Sequence, residues 1–132
     1  MPHILITGAS SGLGAAMAGH YAVPGTTLSL QGRHGMRLEN VANLCRQRGA
    51  EVQTQILDVT DGPGMSRWIT ARDGALPVDL VIANAGISGG SSGLEGESVA
   101  QAEAIFATNL TGLLHTIHPL IPAMRARRRG QI

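Results

Sequence analysis

Apolar and polar positions along this chain fall into blocks that switch between a period of two and a helical period. Ile4-Leu5-Ile6 is apolar at every position, the mark of a short parallel strand covered on both faces. A turn follows, and then Leu13, Ala16, Met17 and Tyr21 recur at helical spacing and predict an apolar stripe. Val23-Pro24-Gly25 breaks the pattern. Thr26 to Leu30 reads as a second strand, ending at Gln31-Gly32-Arg33. A helix from about Met36 to Arg48 sets Leu38, Val41, Ala42 and Cys45 on one face, with Gly49 as its C-terminal cap. Glu51 to Leu57 reads as a third strand with Val52, Thr54 and Ile56 on one side. Thr60 or Asp61 is placed to cap a helix carrying Met65, Trp68 and Ile69, and Val78 to Ala83 is a fourth apolar strand.

Beyond Asn84-Ala85-Gly86 the composition turns to Gly and Ser, from Ile87 to about Gly96, which predicts a mobile, ligand-facing loop. A long helix starts near Ser98 and passes through Ile105, Phe106, Asn109, Leu113 and Ile117, until Pro119 and Pro122 kink or end it. Gly130-Gln131-Ile132 reads as the start of a fifth strand. This alternation predicts an α/β fold: a doubly wound parallel sheet of order 3-2-1-4 with only the start of strand 5, in one domain over residues 1–132.

Composition narrows the classes. The chain is 43% hydrophobic but 2% aromatic, so its core is built from Ala, Val, Ile and Leu. A net charge of +1 selects neither nucleic acid nor a membrane surface. The cluster Arg125, Arg127, Arg128 and Arg129 lacks stacking aromatics and suits a helix C-terminus better than a nucleic acid. His115 and His118 lack a carboxylate or thiolate partner at ligand spacing, so no metal site is expected. Cys45 is alone, which excludes an intrachain disulfide and fits a reducing, cytoplasmic setting. Met1-Pro2-His3 leads into the first strand without a visible leader, and no apolar run approaches the roughly 20 residues of a membrane span.

Thr7-Gly8-x-x-x-Gly12-x-Gly14 carries the clearest chemistry. A strand, a glycine-rich turn and a helix N-terminus form an anion site, because the first N–H groups of a helix have no internal partner and carry partial positive charge. Gly8, Gly12 and Gly14 remove the Cβ atoms that would keep a phosphate from the backbone. At the end of the second strand, Arg33 offers a planar fork to a 2′-phosphate; the alternative is a solvated surface arginine. Asp58, at the end of the third, can accept from an adenine amino group or cap the next helix; the two readings are compatible.

The Gly-x-x-x-Gly-x-Gly turn, the Asn84-Ala85-Gly86 element and Thr108-Asn109-Leu110-x-Gly112 together resemble the N-terminal half of the short-chain dehydrogenase/reductase family, and the resemblance runs over essentially the whole chain. It implies a Rossmann-type fold and a dinucleotide cleft lined by Gly8, Ser10, Ser11, Gly12, Leu13, Gly14, Arg33, Asp58, Val59, Asn84, Ala85 and Gly86. It also implies an active-site Asn109 that holds a water in a proton relay. The implied activity is hydride transfer between a nicotinamide and a small-molecule carbonyl or alcohol. Arg33, with no acid in Gln31-Gly32-Arg33, points to NADP over NAD. The family's Tyr and Lys pair has no counterpart here: the chain contains no Lys, and Tyr21, its one Tyr, is followed by Ala22-Val23-Pro24-Gly25. The chain is therefore expected to be a truncated form that binds cofactor and is inactive alone. A non-catalytic dinucleotide-binding or assembly module is the alternative, and a homo-oligomer is expected. A sugar-nucleotide epimerase-like relative is disfavoured by Asn84-Ala85-Gly86 and Asn109.

Overall fold

The order of the strands follows from where each can find apolar cover. The computed structural model describes residues 1–89 and 96–132. Its four strands are β1 (His3–Ile6), β2 (Thr27–Gly32), β3 (Glu51–Ile56) and β4 (Leu80–Ile82). They form one parallel sheet in the order β3-β2-β1-β4. Helices α1 (Gly12–Tyr21) and α2 (Gly35–Gln47) cover one face, and α3 (Gly62–Ala75), α5 (Gly112–Ile117) and α6 (Ile121–Ala126) the other. The short helix α4 (Val99–Phe106) runs into a π-helical turn, Ala107–Thr111, before α5 begins. Alternation along β1 divides the core. Ile4 and Ile6 enter a cluster with Leu28, Leu30, Leu38 and Cys45, while Leu5 points the other way among Met65, Trp68, Ile69 and Val81. A strand with two dry faces has to be apolar throughout, and all four residues of β1 are buried.

The first helix keeps half of its predicted stripe, since Met17 and Tyr21 are partly buried and pack against the core. Leu13 is 69% exposed and Ala16 is exposed, whereas Gly14 and Ala18 are buried. At its start the inward position is a glycine because the helix lies hard against the turn after β1, where a Cβ on Gly14 would overlap the Gly8 carbonyl. On β3 the expected face also fades toward its end. Val52 is buried, Thr54 is half-buried and Ile56 is exposed, since β3 is an edge strand and α2 begins beside Ile56 with a glycine, Gly35. The fourth strand is shorter than the predicted Val78 to Ala83. Asp79 N–H to His3 O (2.9 Å) and Thr7 N–H to Ile82 O (3.1 Å) continue its pairing at both ends.

The long helix is interrupted rather than continuous. Ser98 caps α4 by accepting from Gln101 N–H at 3.1 Å, as the start near Ser98 required. The π turn and the break at residues 118–120 divide the remainder, with Pro122 seated in the first turn of α6. Asp61, rather than Thr60, caps α3 through Gly64 N–H. Gly49, at φ +95°, takes the left-handed position after α2, as expected. Gln131 bridges β4 in parallel: Gln131 N–H donates to Asp79 O, and Val81 N–H donates to Gln131 O. That contact is the start of a fifth strand.

Candidate functional site

A cleft of about 330 Å³ opens at the C-terminal ends of the parallel strands, where the order reverses between β1 and β4. Of the residues assigned to a cofactor from sequence, Gly8, Ser10, Ser11, Leu13, Arg33, Asp58, Val59, Asn84, Ala85 and Gly86 line it. Gly12 and Gly14 do not line it, and each contributes differently. Gly12 has φ +55° and its Cβ position is open, whereas Gly14 has no room for a side chain at all. Gly8, at φ +66°, faces the chain after β4 so closely that a Cβ would lie 2.8 Å from Ala85 Cα. Ser11 is extended and gives α1 no side-chain cap, so the N–H groups of the first turn are left for an incoming anion. Such a bare backbone cradle fits a pyrophosphate.

Thr7 and Asn84 tie the two sides of the switch point together. The Thr7 hydroxyl accepts from the N–H groups of Asn84 and Ala85, both at 3.1 Å, and the Asn84 amide donates to Gly8 O at 3.3 Å. The end of the cleft beside β2 and β3 is basic. Arg33, His34 and Arg37 face the single carboxylate Asp58, with Arg33 and Asp58 4.0 Å apart and both half exposed. Asp58 accepts from Thr60 N–H (2.9 Å) and the Thr60 hydroxyl (2.8 Å); it shapes the turn before α3 rather than capping the helix. The Thr60 N–H, helped by that hydroxyl and by Arg33, holds its carboxyl below the usual range against partial burial, so it stays ionised near neutrality.

Sequence reasoning missed Gln31, Gly32, Arg37, Ile87 and Thr108, which also line the cleft. Arg37 left a signal: a cation in the first turn of α2 opposes the helix dipole, an arrangement a bound anion offsets. Gln31 left none, because it continues the polar positions Thr27 and Ser29 of an alternating strand, which read as one solvent-facing side.

Asn109 lies within the π turn, and both ends of its amide are bonded to one residue. Oδ1 accepts from Ile87 N–H at 2.7 Å, and Nδ2 donates to Ile87 O at 2.8 Å. The side chain therefore clamps the backbone leaving β4. Ile87 is the first residue of the Gly- and Ser-rich loop, and the part of that loop at 90–95 lies outside the described residues. Tyr21 sits on α1, edge-on to His20 at 5.1 Å between ring centroids, and takes no part in lining the cleft. Among the described residues there is no group of three or more potential metal ligands. No described helix is long and apolar enough to cross a membrane.

A parallel sheet of this order, with a glycine cradle at its switch point, defines a Rossmann-type nucleotide-binding fold. The family model of the short chain dehydrogenases matches residues 2–132, and the chain belongs to that family of NAD(P)-dependent oxidoreductases. It is 35% identical to an uncharacterized oxidoreductase of Myxococcus xanthus, over 97% of this chain and 51% of the relative. A metagenomic short-chain oxidoreductase solved in complex with NADP superposes with a TM-score of 0.88 at 27% identity, over 98% of this chain and 58% of that one. NAD+-bound xylitol dehydrogenase shares the fold, with a TM-score of 0.89 at 23% identity over 98% of this chain and 50% of its own. The chain spans about half the length of these proteins.

Proposed function

We infer that this chain is the cofactor-binding, N-terminal half of an NADP-preferring short-chain dehydrogenase/reductase, whose whole form moves hydride between the nicotinamide and a carbonyl or alcohol. The observation that carries the reading is the charge of the adenosine end: Arg33, His34 and Arg37 surround the place where a 2′-phosphate would sit, and no carboxylate ends β2. The resemblance to a structure holding NADP supports it. In this reading the first-turn N–H groups of α1 hold the pyrophosphate and Asp58 faces the adenine amino group. Asn109 acts as a positioning residue by holding Ile87 in place. A cytoplasmic setting and self-association belong to the same proposal.

The test is calorimetric titration of NADPH and NADH against the native chain and Arg33→Ala. A charge-assisted hydrogen bond to phosphate is worth about 1.5–3 kcal/mol, so NADPH should bind roughly ten- to a hundredfold more tightly than NADH. Arg33→Ala should remove most of that margin, and equal affinities in the native chain would refute the preference. One observation favours a second reading, a dinucleotide-binding module without catalysis: the chain has no Lys, and Tyr21 lies away from the cleft. On that reading the chain binds NADPH yet consumes none of it with any ketone.

A further inference from the structure

We propose that Gln31 is a positioning residue that fixes the spacing between the glycine turn and the groups ending β2 and β3, and thereby sets the preference between the two dinucleotides. The proposal rests on the cofactor reading above. Gln31 is 1% exposed at the floor of the cleft, and a buried amide is costly unless both of its ends are bonded. Both are. Its Oε1 accepts from Gly8 N–H at 3.0 Å, and its Nε2 donates to Leu57 O. Its main-chain carbonyl accepts from Ala9 N–H at 2.9 Å.

One residue thus binds three strand ends. Gly8 and Ala9 begin the phosphate turn, Arg33 follows Gln31 by two positions, and Asp58 follows Leu57 directly. The peptide groups flanking Gly8 are held from opposite sides, its N–H by Gln31 and its carbonyl by the Asn84 amide at 3.3 Å. The Gly8 N–H is consequently unavailable to phosphate, and the turn must present the N–H groups further along. Ser10 packs over the next residue: a Cβ on Gly32 would meet Ser10 Cβ at 3.1 Å, so turn and strand end are seated on one another. NAD(H) needs only the turn. NADP(H) needs the turn and Arg33 at a set distance, and Gln31 holds that distance.

The full chain would be compared with Gln31→Leu and Gln31→Glu. Gln31→Leu leaves Gly8 N–H and Leu57 O without their partner. Exchange of the Gly8 amide, followed by NMR without nucleotide, should accelerate at least about tenfold. NADPH affinity should fall about tenfold and NADH affinity about two- to threefold, which narrows the ratio between them. In the Gln31→Glu variant a protonated carboxyl reproduces both bonds, since its O–H can donate to Leu57 and its carbonyl can accept from Gly8, while an ionised one sets two acceptors together. The ratio for Gln31→Glu, divided by the native ratio at the same pH, should approach one at pH about 5.5 and fall toward the Gln31→Leu value at pH about 8. Normalising to the native chain removes the pH dependence that the 2′-phosphate and the other charged or ionisable groups of the cleft, Arg33, His34, Arg37 and Asp58, bring to both chains alike. Unchanged Gly8 exchange, or a pH-independent Gln31→Glu ratio, would overturn the proposal. A native chain that prefers NADPH beside a Gln31→Leu variant with the same ratio would overturn the role of Gln31 alone. Binding of neither nucleotide by the native chain would overturn the cofactor reading, and the selectivity role with it.

Discussion

The two glycines in the first turn of α1, Gly12 and Gly14, should fail in opposite ways when each is replaced by alanine. A Cβ on Gly14 would lie 2.7 Å from Asn84 Nδ2 and 2.8 Å from the Gly8 carbonyl carbon, closer still to its oxygen. Two of these neighbours are backbone, and the third is an amide already bonded to Gly8 O, so none can move aside without opening the switch point. Overpacking of this kind costs about 1–3 kcal/mol, and a backbone obstacle argues for about 3. For a chain of this size that lowers the melting temperature by roughly 10 °C. Gly12 has nothing within 4 Å of its Cβ position and φ +55°. Its alanine variant meets only left-handed strain of about 1 kcal/mol, partly offset by the reduced freedom of the unfolded chain, so the melting point should move by less than about 4 °C.

Nucleotide affinity should rank the two differently from stability. Gly12 opens the first turn of α1, whose N–H groups are proposed to hold the pyrophosphate, so Gly12→Ala should weaken NADPH about tenfold or more in a chain that remains folded. Scanning calorimetry without ligand, followed by titration at a temperature where both variants are native, separates the effects. A Gly14→Ala variant within about 2 °C of the native chain, or a Gly12→Ala variant with native affinity, would refute the division of labour.

The partly buried pair Arg127 and Asp73 makes two bonds, of 2.9 and 2.8 Å, and Arg127 also donates to Val78 O at 2.8 Å, so Asp73→Asn should cost about 2 kcal/mol by chemical denaturation. His3 is buried between Leu76 O and the Ser29 hydroxyl, and burial lowers its pKa against the pull of that carbonyl and of Asp79. A base with a lowered pKa contributes stability above its ordinary value of 6.5 and loses it as pH falls below that. Asp58, Asp73 and Asp79 are also lowered, so their contribution is present above the ordinary 3.8 and lost below it. A melting-temperature profile should therefore decline in two stages on acidification, and His3→Gln should remove the upper one. Sedimentation velocity across a concentration series should show self-association, and a monomer at all concentrations would refute it.

The sheet order and the cleft were legible because both depend on short-range signals. Apolar runs mark buried strands, and a strand followed by Gly8-x-x-x-Gly12-x-Gly14 marks a turn that needs bare backbone. The features that stayed hidden depend on distant partners. Leu13 kept helical spacing yet faces outward, because the position beside it, Gly14, is pressed against a carbonyl six residues earlier. The π turn at Ala107–Thr111 has no periodic signature in Ala-Thr-Asn-Leu-Thr. Its bond to Ile87 spans 22 residues and could not be read from spacing. The burial of Gln31 likewise depends on Gly8 and Leu57, neither of which is near it in sequence.

The expected drive to associate shifts once the end of the chain is placed. An unpaired β4 edge would have been the obvious template for a second copy. That edge is instead partly occupied by Gln131, which both donates to and accepts from the strand. The arginines before it fix the position, Arg127 on Asp73 and Arg129 on Asp79, and Asp79 in turn accepts from His3 N–H at 2.9 Å. The cluster read from sequence as a solvated helix end is thus partly a clamp that holds the tail in register with the sheet. The surface left uncovered is apolar rather than hydrogen-bonding: Val99 at 76%, Phe106 at 67% and Leu110 at 55% exposure lie along α4 and the π turn, continued by Leu113 and Leu114. Exposed large side chains in a row cost the chain solubility unless another surface meets them, and no strand pairing is needed for that surface to be a second copy. Association of this chain should accordingly weaken with Phe106→Ser or Leu110→Ser and be indifferent to changes at Gln131.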